Sequence, residues 1–161
     1  MHPLPSLGRN IGKLIIEVSH TDMALVELRD TESFSNVTFC NNEMPEPIPL
    51  RRLAEAESLG MQTKIALDSP DTGFIDGKLI HMLEPEQSWI FTTWSYMGQG
   101  SAATLPEGMC GSAIWTEDGD VVGFFRYAPK EGEMKDWCAG IAADELIKRG
   151  FSLVDTTQRL P

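Results

Sequence analysis

Short apolar runs separated by Gly, Pro, Asn and Asp recur along this chain, and their spacing predicts strands rather than long helices. "KLIIEVS" (13–19) and "MALVELR" (23–29) read as strands joined by the short connection "HTD", and "NVTFC" (36–40) is a further candidate. "NNEMPEPIP" (41–49) holds three prolines in nine residues. Proline has no N–H to give to a ladder, so this stretch reads as a linker. "LRRLAEAESLG" (50–60) reads as either a short helix ending at Gly60 or coil, the two being close. Strand patterns then return as "MQTKIAL" (61–67), "FIDGKLIHML" (74–83), "SWIFTTWSY" (88–96), "SAIWT" (112–116), "DVVGFFRY" (120–127) and "DWCAGI" (136–141). The connectors carry turn chemistry, and "EDGD" between two apolar runs is a strong hairpin signal. "ADELIKRG" (143–150) has an acidic start, a basic end and a closing glycine, which predicts a C-terminal helix.

Strands at such short intervals, joined by tight turns, predict a mainly β protein built as an antiparallel barrel or sandwich. The 161 residues, 42% hydrophobic and 23% charged, fit one globular domain or two small lobes. A net charge of −11 argues against nucleic acid and anionic membrane surfaces as partners. No apolar run reaches the roughly 18 residues of a membrane-spanning helix, and "MHPLPSLGRN" lacks the pattern of a secretory signal. Cys40, Cys110 and Cys138 form no CxxC, and the three histidines are scattered. No metal or other cofactor is therefore expected, and a reducing, intracellular setting is.

The chemistry-bearing stretch is "EGMCGSAIW" (107–115). Glycines at 108 and 111 permit backbone dihedrals that other residues disfavour, so that amide N–H groups can converge on one point beside the Cys110 thiol. Such N–H groups, from Gly108 and Cys110, are suited to stabilising a developing oxyanion. "GMCGSAIW" resembles the Gly-Asp-Ser-Gly nucleophile loop of the trypsin-like (chymotrypsin-fold) proteases, with cysteine in place of serine. "TDMALVEL" (21–28) is similar to the segment of that family that carries the triad aspartate, here Asp22. Asp22 and Cys110 are 88 positions apart in sequence, against roughly ninety in the chymotrypsin order.

The resemblance implies a chymotrypsin-like fold: a partial first β-barrel lobe over residues 1–48, a linker over 49–60, and a complete second barrel with the C-terminal helix over 61–161. It implies catalytic roles for Cys110 and Asp22 and an oxyanion hole from the N–H groups of Gly108 and Cys110. It implies peptide contacts from Thr104, at the base of the specificity pocket, and from Arg126 and Tyr127 in "FRYA". With no carboxylate at Thr104, a preference for Lys or Arg side chains is not expected. One member of the set is missing. The family's base histidine precedes the aspartate by roughly forty-five residues, whereas the histidines here are His2, His20 and His81. The expected protein is therefore a trypsin-like peptidase homologue, inactive as this chain alone, whose partner is a peptide, a protein, or an upstream segment bearing the histidine. A non-catalytic protease-like binding or scaffold domain, and an unrelated acidic all-β binding domain, are the alternatives.

Overall fold

The two apolar runs nearest the N-terminus form β1 (Gly12–Val18) and β2 (Met23–Leu28), an antiparallel pair with Lys13 opposite Glu27 and Leu14 opposite Val26. The structure, a computed structural model, describes residues 10–18, 21, 23–39, 45–69, 73–83, 89–95, 109–129, 131–133, 137–154 and 156. The chain divides into two compact units, Met1–Phe34 and Ser35–Pro161. In the first unit, β1 and β2 form a two-stranded sheet whose side chains are largely in solvent: Leu14, Ile15, Ile16 and Val26 are all exposed.

The second unit is a seven-stranded sheet. Strands β4 (Lys64–Ser69), β5 (Gly73–Leu83) and β6 (Trp89–Ser95) run as an antiparallel meander. The next strand, β7 (Ala113–Trp115), returns to pair with the outer side of β4, giving the order β7-β4-β5-β6 of a Greek key. Strand β8 (Asp120–Tyr127) pairs with β7, and β9 (Trp137–Ala142) pairs with both β8 and β6. Each strand from β4 to β9 thus has a strand neighbour on both sides. The protein is mainly β with a single short helix, α1 (Asp144–Ile147), among the described residues. No helix there is long and apolar enough to cross a membrane.

Period-two alternation explains the core. Ile65 and Leu67 of β4, Ile75 and Leu79 of β5, Ile90 of β6, Ile114 of β7, Val122 of β8 and Cys138 of β9 are buried in one cluster. Side chains two apart on a strand point to the same face, so each apolar alternation delivers its residues to that cluster. The "EDGD" signal is the turn between β7 and β8, closed by Thr116 N–H to Asp120 O at 2.9 Å and Gly119 N–H to Thr116 O at 2.9 Å. Gly119 is required twice over. Its φ is +82°, and a Cβ there would collide with the Pro49 carbonyl oxygen.

Three expectations from the pattern are corrected. Residues 36–39 do not form a strand, and Cys40 lies outside the described residues: Val37 makes one isolated bridge to Pro49, beside bonds from Thr38 N–H to Ile48 O (3.0 Å) and Leu50 N–H to Asn36 O (2.7 Å). Pro47 and Pro49 have no N–H, so the ladder cannot lengthen. Residues 50–60 are not a helix. The short strand β3 (Arg52–Leu53) lies parallel to β8, Arg51 N–H donates to Gly119 O at 2.9 Å, Ala54 N–H donates to Val121 O at 2.8 Å, and only Ala56–Ser58 form a 3₁₀ turn. Docking against β8 outweighs the helix propensity of "LAEAES". Residues 49–60, expected as a linker, lie within the second compact unit, Ser35–Pro161. Asn36 fastens this stretch to the C-terminal segment through Asn36 N–H to Thr156 Oγ1 (3.0 Å) and its Nδ2 to Val154 O (2.7 Å). The expected helix over 143–150 is shortened to Asp144–Ile147, where Gly150 at φ +81° lets Phe151 N–H reach back to Leu146 O at 3.0 Å.

Candidate functional site

The loop that carries Cys110 is held from both ends. Met109 is 2% exposed and sits in the core cluster, so the residue before the cysteine anchors the loop. Gly111 follows at φ +90°, a left-handed conformation that reverses the chain at little cost only for glycine. Its N–H donates to Phe125 O at 2.8 Å, and Phe125 N–H donates back to Ser112 O at 2.9 Å. The sequence Met-Cys-Gly-Ser thus reads as an apolar anchor, a displayed side chain, a reversal and re-entry into β7. That order leaves Cys110 exposed at the mouth of the β7–β8 hairpin.

The thiol is not isolated. Cys110 Sγ donates to the carbonyl oxygen of Arg126 on β8 at 3.2 Å. This contact brings Cys110 to Arg126 and its neighbour Tyr127, two of the residues expected to meet a peptide. The Arg126 side chain is half-buried and Tyr127 is 59% exposed. Among the described residues, the Cys110 N–H meets no acceptor, which leaves one amide donor adjacent to the exposed sulfur. The exposed Cys110 sulfur and the strand end at Arg126 and Tyr127 therefore share one patch of surface.

The remaining expected site residues lie outside the described residues: Asp22, Thr104 and Gly108, as well as His2 and His20. His81 lies on β5, where its backbone pairs with Phe91. Cys138 is a core residue on β9 and Trp115 is buried on β7, as packing residues would be, whereas Cys40 lies outside the described residues. Among the described residues, no group of His, Cys, Asp and Glu is arranged to hold a metal ion.

Two features of the second unit were not legible in the sequence. Arg52 makes a two-pronged ion pair with Asp120, Nε to Oδ1 at 2.8 Å and Nη2 to Oδ2 at 2.7 Å, which clamps β3 to the start of β8. The Arg52 hydrogen bonds hold the Asp120 carboxyl below its ordinary range against the opposing effect of burial, and the same bonds raise Arg52. Beside this clamp lies an open cavity of about 710 Å³, walled by Leu53, Leu59, Phe151 and Leu153 and rimmed by Arg51 and Asp118. Its walls come from residues 51–59 and 151–153, segments whose pattern gave no hint that they meet. The Cys110 loop does not line it.

No protein-family model and no curated protein matches this chain.

Proposed function

We propose that this chain is a homologue of the trypsin-like proteases with cysteine in the nucleophile position, and that it holds a peptide against its second unit without cleaving it. In this reading β4 to β9 close into a six-stranded barrel. The pairing pattern supports it, because β9 pairs with β6 on one side and β8 on the other while β7 joins β8 to β4. A strand set in which every member has two neighbours is the pairing pattern that barrel closure requires.

The observation that carries the functional reading is the contact between the exposed Cys110 thiol and the Arg126 carbonyl at 3.2 Å. In this reading a peptide lies along Arg126 and Tyr127 with one carbonyl carbon facing Cys110 Sγ and its oxygen directed at the N–H groups of Gly108 and Cys110. By the resemblance Thr104, which lies outside the described residues, takes the position at the base of the side-chain pocket, and its neutral side chain favours an uncharged residue there. Asp22 keeps the acid position of the family, but His2, His20 and His81 do not match the base position. Cleavage needs a base within about 3 Å of the thiol, or one water away, to take its proton, so peptide binding outlasts hydrolysis. A histidine supplied by an upstream segment would turn the same surface into a peptidase, and that is the enzymatic form of the same proposal.

The test is labelling of Cys110 with two electrophiles that share the α-chloroketone warhead, a peptidyl chloromethyl ketone with an apolar terminal residue and chloroacetone. Saturable labelling by the peptidyl reagent, competed by its non-reactive amide and lost in Cys110→Ala, supports the reading. Labelling that is linear in both reagents, with no competition, refutes it.

A further inference from the structure

We propose that the outer edge of β1 pairs with β1 of a second copy of this chain, antiparallel about a two-fold axis at Ile15. Among the described residues, β1 has β2 as its strand neighbour on one side and no strand on the other. Three consecutive apolar side chains on it are exposed, Leu14 at 60%, Ile15 at 49% and Ile16 at 44%. A run of exposed apolar residues along an open edge is the usual mark of a strand that receives another strand.

The identity of the partner follows from the charges. Read outward from Ile15 in both directions, "GKLIIEV" places Leu14 against Ile16, Lys13 against Glu17 and Gly12 against Val18. A two-fold axis at Ile15 therefore makes two Lys–Glu pairs and joins apolar residues to apolar residues, which is the self-complementarity that an isologous interface needs. The chain carries a net charge of −11, so two copies repel each other at long range. The strand itself holds one lysine and one glutamate, which makes it a neutral place for two acidic molecules to meet.

Strand number argues the same way. A two-stranded hairpin is marginal in water, and three or more strands are needed for stability. Pairing of two copies gives the order β2-β1-β1-β2, a four-stranded sheet. The bulge in β1 between Leu14 and Ile16 adds local twist. Twist of that kind keeps an edge pairing short.

Sedimentation velocity of the full chain over a range of concentrations tests this. A reversible dimer is expected for the natural sequence. Glu17→Lys is the clean disruption, because Glu17 lies opposite the neutral Ala24 within the hairpin and, among the described residues, no intramolecular charge pair is lost. It turns two opposite-charge pairs into like-charge pairs and should weaken the dimer roughly tenfold or more. The triple variant K13E/E17K/E27K restores both the intermolecular pairs and the pairing of residue 13 with residue 27, and should recover the dimer to within about threefold of the natural chain. A monomer at every concentration, a Glu17→Lys dimer of unchanged strength, or a triple variant that stays dissociated would each overturn the proposal.

Discussion

Gly119→Ala, compared with Gly150→Ala, isolates the contact that docks the segment before β4 onto the hairpin. The two glycines have almost the same φ, +82° and +81°. An alanine at either must adopt a left-handed conformation, at a cost of about 1–2 kcal/mol. They differ in their surroundings. A Cβ on Gly150 meets nothing within 4 Å, whereas a Cβ on Gly119 would run into the Pro49 carbonyl oxygen. Backbone cannot rotate away as a long side chain can, so Pro49, and with it the bond from Arg51 N–H to Gly119 O, must shift. Overpacking of this kind costs about 1–3 kcal/mol more. Gly119→Ala should therefore lose roughly 2–5 kcal/mol in all, and Gly150→Ala roughly 1–2 kcal/mol. Urea denaturation followed by tryptophan fluorescence measures both, with Trp115 buried on β7 as a reporter next to the turn. Equal losses at the two positions would mean that the turn is not packed against Pro49, and the account of residues 49–54 would fail.

Other consequences follow from the same contacts. Asp120 is held below its ordinary pKa by Arg52, so the stabilisation from this pair is present above about pH 4 and is lost as pH falls through the depressed value. The stability gap between the natural chain and Arg52→Met should be flat from pH 6 to 8 and close in acid; a gap that widens as pH falls would contradict this assignment. Leu67→Ala removes a fully buried side chain from the centre of the core and should cost about 2–5 kcal/mol in the same urea assay. Native-state alkylation with iodoacetamide, mapped by mass spectrometry, should modify the exposed Cys110 while the buried Cys138 reacts only after unfolding. Fast modification of Cys138 in the folded protein would show that β9 does not sit in the core.

The strands of the second unit were legible because period-two alternation and turn residues coincide there. "FIDGKLIHML" at 74–83 became Gly73–Leu83, and "DVVGFFRY" at 120–127 is Asp120–Tyr127 without change. The stretch 50–60 misled for the opposite reason: its local preference is helical, and the force that straightens it is tertiary, a parallel pairing with β8 sealed by Arg52 and Asp120. No spacing rule signals an ion pair across 68 residues. At the candidate site, the exposure of Cys110 and the reversal at Gly111 could be read from Met-Cys-Gly-Ser, since an apolar anchor followed by glycine defines a displayed turn. The acceptor for the thiol could not, because it is a backbone carbonyl and every residue has one. The pairing of β9 with both β6 and β8 was equally hidden, because strand order depends on contacts far apart in sequence.

The proposal that Cys110 faces a peptide laid along β8 is tested most directly by NMR on the covalent adduct of Cys110 with an isotope-labelled peptidyl chloromethyl ketone. The account predicts intermolecular NOEs between the peptide backbone and the amides of Arg126 and Tyr127, together with a large shift of the Cys110 amide. A peptide tethered to sulfur that shows random-coil shifts and no NOE to residues 125–127 would contradict it.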